Sequence, residues 1–150
     1  MECPAQRHMR GRMKFSACPN PATDVKGLTL DTGALIALER KEDRINALLE
    51  RIIAEPDAVI HIPAGVVAQA FREGPRQVRL MRLLKKTQTR IVALDEQTAY
   101  VVGLLLGLRG TSDVVDASVV VCARRYGQPV VTGDPEDLRR LDESVTLHAV

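Results

Sequence analysis

Four aspartates in this chain are spaced for metal chemistry. Asp31 directly follows the apolar run Gly27-Leu28-Thr29-Leu30, and Asp134 follows Pro129-Val130-Val131-Thr132 with only Gly133 between. Asp113 and Asp116 stand three apart where the apolar stretch 114–123 begins, a spacing that gives them one helix face. In an open parallel sheet, ligands bind beyond the carboxyl ends of the strands, where strand order reverses. If the first and fourth strands are neighbours there, Asp31 and Asp134 face one crevice, and Asp113 and Asp116 can project into it. Carboxylates gathered in this way repel one another and stay ionised together only beside a cation. Oxygen ligands without clustered His or Cys select a hard ion, Mg2+ or Mn2+. The chemistry such a site suits is metal-assisted phosphodiester hydrolysis, in which the ion lowers the pKa of a water and neutralises charge on the attacked phosphate.

Each carboxylate also has a plainer reading. Asp31 before Thr32-Gly33-Ala34, Asp113 before its helix, and Asp134 before Pro135-Glu136-Asp137 all suit a helix N-cap. Asp116 is harder to explain that way. It lies a turn inside a helix whose following positions are nearly all apolar, where a lone carboxylate gains nothing. The coincidence of all four favours the metal reading over four separate caps.

The elements that must position these groups follow from hydrophobic periodicity. Strands are expected at 27–30, 58–62, 90–94, 129–132 and 145–149. Helices are expected at 32–39, 44–54, 64–72, 75–86, 95–108, from 112 or 113 to 126, and 134–141. Strands alternate with helices, and the strand runs are continuously apolar. Both facts point to an α/β sandwich with a parallel sheet covered on two faces. Residues 1–26, with Pro4, Pro19, Pro21, Gly11 and Asn20 and no periodicity, read as a flexible basic tail or an extended start, leaving 27–150 as one domain.

Composition narrows the function classes. The chain has 150 residues, 45% apolar and 27% charged, the balance of an ordinary globular domain. Two Phe, two Tyr and no Trp argue against a base-stacking sheet for single strands. Cys3, Cys18 and Cys122 are an odd set without C-x-x-C spacing, which supports neither a disulfide framework nor a zinc site. No apolar run reaches the roughly 20 residues that span a bilayer, and no signal peptide opens the chain, so a cytoplasmic protein without membrane contact is expected. The net charge of +2 is uneven: the first 26 residues hold five basic groups against two acids.

Four segments together resemble the PIN domain, and more narrowly the VapC-type toxins of bacterial toxin–antitoxin pairs. They are Leu30-Asp31-Thr32-Gly33-Ala34-Leu35-Ile36-Ala37-Leu38, Ile62-Pro63-Ala64-Gly65-Val66-Val67-Ala68-Gln69, Asp113-Val114-Val115-Asp116-Ala117, and Val131-Thr132-Gly133-Asp134-Pro135-Glu136-Asp137-Leu138. The resemblance covers about residues 27–150. It implies a five-stranded parallel sheet in order 3-2-1-4-5, which sets strands one and four side by side. It further implies a Mg2+-dependent endoribonuclease, with Mn2+ as the alternative ion, that cuts RNA to arrest translation and is silenced by a cognate antitoxin. A homodimer is implied as well. Asp31, Asp116 and Asp134 match the family's acidic positions and would be catalytic metal ligands. Asp113 matches a frequent additional acid. The family's second acidic position, usually Glu in the helix after strand two, holds Gln69 here. Gln is neutral and binds a hard cation more weakly, so Glu73, one helical turn on, is a possible substitute through a water. Thr132 or Thr32 would orient a ligand or a water through its hydroxyl. A weakened metal site would leave the alternative function, a non-catalytic PIN-like module that binds RNA or a protein.

Two further features carry paired readings. Residues 71–90 hold seven basic groups against Glu73 alone. Arg76, Arg79 and Arg82, extended by Lys85, are spaced to line one helix face that an RNA backbone or an acidic partner segment would fit, or that is simply solvated. The stretch 98–108 is apolar nearly all round, so it is either fully buried or gives one face to a subunit interface. His61, in a buried strand, reads as a core histidine with its hydrogen bonds met. A receiver-like phosphate-transfer domain also gathers Asp at strand ends, but it would want a Lys after a late strand, and none follows the fourth or fifth here.

Overall fold

The computed structural model describes residues 27–150, apart from the side chain of Arg76. Expectations for the 1–26 segment lie outside the described residues. The described residues open with β1 (Gly27–Leu30), α1 (Thr32–Glu39) and α2 (Asp43–Ile53). It continues through β2 (Val59–Pro63), α3 (Ala64–Ala70), a 3-10 turn (Pro75–Gln77), α4 (Val78–Leu84) and β3 (Thr89–Val92). α5 (Glu96–Arg109), α6 (Val114–Tyr126), β4 (Val130–Thr132), α7 (Pro135–Leu141) and β5 (Leu147–Ala149) complete it.

The sheet has five parallel strands in the order β3-β2-β1-β4-β5. Parallel strands need long crossovers, and right-handed ones put α1 to α4 on one face and α5 to α7 on the other. Both faces bury apolar side chains. Leu30, Leu35, Ile60, Ile62, Val119, Val120, Val130 and Val131 are wholly excluded from solvent, which is why the strands read as continuous apolar runs. α6 packs directly on β1, β2 and β4, while α5 rides outside it against α6 and α7.

A buried polar knot ties β1 to β2 and to the turn that leads into β4. The Gln128 side-chain carbonyl accepts from the Thr29 hydroxyl at 3.2 Å and pairs with His61 Nδ1 at 2.9 Å. Its amide donates to the Val59 carbonyl at 3.1 Å. The His61 ring stacks on Tyr126, centroids 3.6 Å apart. Burial holds the imidazole below its usual titration range, so the neutral ring donates to Gln128. Glycine caps finish the neighbouring helices: Gly110 after α5 and Gly127 after α6 adopt positive φ of 67° and 61°, which a side chain would disfavour.

The structure differs from expectation in five places. α3 stops at Ala70 rather than running to 72, with Phe71 extended. The buried Gln77 side chain explains the break: its amide donates to the Ala70 carbonyl at 2.8 Å and its carbonyl accepts from the Arg72 amide at 2.5 Å. The expected helix 75–86 is a 3-10 turn followed by the shorter α4. β3 ends at Val92, leaving Ala93 and Leu94 exposed outside the strand. β5 is confined to its last three expected residues. α5 is not fully buried: Tyr100, Leu104 and Leu108 are 68%, 47% and 70% exposed. Among the described residues, no helix is long and apolar enough to cross a membrane.

Candidate active site

β1 and β4 are adjacent, with Leu30 opposite Val131, so the residues that leave their carboxyl ends meet. The Asp31 amide donates to the Val131 carbonyl at 3.1 Å, which carries the pairing one residue past β1. The Asp31 side chain is almost wholly buried and caps α1, accepting from the Ala34 amide at 2.7 Å. Burial raises its carboxyl above the ordinary range, while hydrogen bonds from Thr132, Ala34, Gly133 and Gly33 pull the other way.

Thr132 has no solvent exposure, and its hydroxyl serves both strand ends. It accepts from the Asp134 amide at 2.9 Å and lies close enough to the Asp31 carboxyl to oppose the effect of burial there. Asp134 in turn caps α7, accepting from the Glu136 amide at 3.2 Å. The two turns also touch through their backbones. A Cβ on Gly33 would lie 2.6 Å from Gly133 N and 2.8 Å from Gly133 Cα, so close approach requires glycine at 33, while a Cβ on Gly133 would meet Gly33 Cα at a tight 3.1 Å.

α6 delivers the other pair. Asp113 caps it, accepting from the Asp116 amide at 2.9 Å. Asp116 itself accepts no capping bond and lies half-buried. Its carboxyl is pushed up to about 6, first by burial and then by the negative charges of Asp113, Asp137, Asp31 and Asp134. That crowding draws both strand-end aspartates and both α6 aspartates into one electrostatic neighbourhood. It also includes Asp137, which the sequence reading did not single out. The available signal was its spacing: Asp137 stands three residues after Asp134, the same offset that joins Asp113 to Asp116. Asp137 also pairs with Arg140 at 3.1 Å.

The cap reading thus describes Asp31, Asp113 and Asp134, yet the capping bonds found for Asp113 and Asp134 each occupy one carboxylate oxygen, Oδ1. Capping and metal binding are therefore compatible at these residues. Among the described residues, no three carboxylate, imidazole or thiol groups are already gathered to hold a metal ion. The donors still fit a hard divalent cation in kind. They are oxygens only, they carry several negative charges, and the mutual repulsion that lifts Asp116 is what such an ion relieves. An ion of the Mg2+ type takes one or two carboxylates directly and keeps several waters.

Gln69 lies beside this group, its side-chain carbonyl accepting from the Thr32 hydroxyl at 2.6 Å. Glu73 does not continue the same helix. α3 has ended three residues earlier, and Glu73 is exposed in the loop that follows. The expected basic face is also divided. Arg76 belongs to the 3-10 turn, Arg79 and Arg82 to α4, and Lys85 is its C-cap. Arg82 and Lys85 are exposed, and Arg79 reaches Asn46 on α2 at 3.4 Å.

Known proteins share this fold. Among solved structures, VapBC2 from Rickettsia felis bound to a promoter DNA fragment is similar at a TM-score of 0.61 and 18% identity, covering 83% of this chain and 98% of that one. FitAB bound to a DNA fragment follows at 0.57 and 17%, covering 81% and 94%. FitAcB from Neisseria gonorrhoeae stands at 0.55 and 19%, covering 80% and 95%. At such identities the likeness is one of fold. No curated protein sequence matches the chain. The PIN domain family model matches residues 28–144, nearly the whole described body, and the chain belongs to the PIN domain family.

Proposed function

We propose that this chain is a divalent-metal-dependent endoribonuclease, the toxin of a toxin–antitoxin pair, silenced by a cognate antitoxin. PIN domains are generally nucleases that use divalent metals, and the similar VapBC2 and FitAB structures are toxin–antitoxin complexes. The observation that carries the reading is Asp116, lifted to about 6 inside a group of four other aspartates. A bound Mg2+ or Mn2+ would neutralise that group and activate a water for attack on phosphorus. Asp31, Asp116 and Asp134 would hold the ion, with Asp113 assisting. The Thr132 hydroxyl holds the Asp134 backbone amide at the end of β4. Arg79, Arg82 and Lys85 would attract the RNA backbone electrostatically.

The exposed face of α5 supports a homodimer. Tyr100, Leu104 and Leu108 recur every four residues, with Gly103 and Gly107 exposed between them. Two copies of such a stripe can approach closely around a twofold axis. Leu104→Glu would convert the dimer to a monomer in light scattering, and an unchanged mass would remove this face from consideration.

Function is tested by induced expression of wild type, Asp116→Ala and Asp31→Asn, with RNA 5′ ends mapped. Growth arrest and discrete cuts from wild type alone are expected. The absence of a gathered three-group ligand set favours one competitor, a PIN-like module that binds without cutting. Folded wild type that leaves RNA intact with Mg2+ and with Mn2+ would select that reading.

A further inference from the structure

Gln69 is a neutral amide beside a cluster of carboxylates, and its orientation is fixed. α3 spans the mouth of the sheet from α6 to α1. A Cβ on Gly65 would lie 3.3 Å from Val115 in the first turn of α6. Four residues on, along the same helix face, Gln69 Oε1 accepts from the Thr32 hydroxyl at 2.6 Å. That length is ordinary for O–H···O and short for N–H···O, so the amide oxygen faces Thr32 and the NH2 group points the other way. Thr32 immediately follows Asp31, so the exposed Gln69 amide stands next to the site, with two N–H donors open to whatever enters there. Among the described residues, no protein acceptor engages them.

The chemistry around the amide specifies what it would meet. Ionised carboxylates accept hydrogen bonds and cannot donate them. A phosphodiester oxygen is likewise an acceptor without a proton. A backbone phosphate entering this mouth therefore finds acceptors on the carboxylate side and needs a donor of its own. An amide NH2 cannot ligate a cation, and the Gln69 oxygen, a neutral and weaker ligand than a carboxylate, already gives one lone pair to Thr32.

We propose that Gln69 contacts the RNA backbone, donating its side-chain NH2 to a non-bridging phosphate oxygen rather than ligating the divalent ion, with Thr32 holding the amide in that orientation. The inference rests on the nuclease reading above and assigns a substrate contact within it.

The test separates ion from phosphate in the full chain. Mn2+ binding is read by electron paramagnetic resonance of the free ion. RNA binding is read by fluorescence anisotropy of a labelled mixed-sequence single strand in Ca2+, with the strand checked intact on a gel. Gln69→Ala is expected to leave Mn2+ affinity unchanged and to weaken RNA binding ~tenfold, the size of one hydrogen bond to a charged oxygen. In Mg2+-supported cleavage the loss falls on KM rather than kcat. Thr32→Val, which frees the amide, shifts RNA binding in the same direction by less. Gln69→Glu tightens Mn2+ and weakens RNA at equal metal occupancy. The proposal is overturned if Gln69→Ala loosens Mn2+ ~tenfold or more, the loss already expected of a group that only orients a ligand, or if it leaves RNA binding unchanged. Wild type that neither binds Mn2+ nor cuts RNA overturns the nuclease reading itself. Wild type that does both, with a variant pattern other than this one, overturns the Gln69 contact alone.

Discussion

Asp116→Asn is expected to stabilise the metal-free protein while abolishing cleavage. The Asp116 carboxyl moves from 3.8 to about 6 on folding, through burial and then through Asp113, Asp137, Asp31 and Asp134. Between those two values the folded chain keeps a proton that the unfolded chain releases. Stability therefore falls as pH rises through that window and stays lower above it. At about 1.4 kcal/mol for each tenfold difference in proton affinity, the unscreened effect is ~3 kcal/mol. Solvent reaches the half-buried side chain and screens this to ~1–2 kcal/mol. For a chain of 150 residues that corresponds to ~3–6 °C in melting temperature. Thermal unfolding followed by circular dichroism in EDTA, at pH 4.5 and pH 8, reads it directly. The variant is expected to melt higher at pH 8 and by only about a third as much at pH 4.5, where the loss has just begun. Asp31, His61 and Asp142 also titrate away from their ordinary values, but they are common to both proteins and largely cancel in the difference. Mg2+ at pH 8 is expected to raise the wild type more than the variant. A variant that melts at or below wild type at pH 8 in EDTA would refute the charge-crowding account of this site.

Three other outcomes follow from the geometry. Asp31→Ala loses both cleavage and the α1 cap, at ~1–2 kcal/mol in urea unfolding, whereas Asp31→Asn keeps the cap and loses cleavage alone. Equal stability of the two variants would contradict the capping role. Gly33→Ala drives a methyl into the backbone at Gly133 and is expected to cost ~1–3 kcal/mol, read as a lower urea midpoint at unchanged slope. Gln128→Ala strands the Thr29 hydroxyl, the His61 ring nitrogen and the Val59 carbonyl, at ~2–4 kcal/mol by the same titration.

The fold was legible because its signals are local and redundant. Continuous apolar runs mark strands buried on both faces, and Asp95, Asp113 and Asp134 before helical stretches, with Gly110 and Gly127 after them, punctuate the chain where the structure does. What escaped notice depends on contacts across the sequence. The break between α3 and α4 is made by Gln77 reaching back seven residues to Ala70, and no periodicity reports that. The partial exposure of α5 is decided by what α6 and α7 leave uncovered. At the site, the four aspartates were visible as strand-end and helix-start residues. Asp137 was not, because an acid in the first turns of α7 is indistinguishable in sequence from a helix-dipole partner. Gln69 was legible as a position, but its tether to Thr32 needed the folded chain.

The contact between Gly33 and Gly133 bears on how such a site is switched off. Where two turns meet backbone to backbone, neither can advance on the other, and the pairing of Asp31 with Val131 ties them together just below that contact. Bending the active residues out of line would have to break the strand pairing that joins Asp31 to Val131, so an inhibitor of the proposed nuclease is expected to act by occlusion, lying over the mouth or sending a side chain into it. Release then needs only dissociation or destruction of the inhibitor, and the uncovered site is ready without refolding.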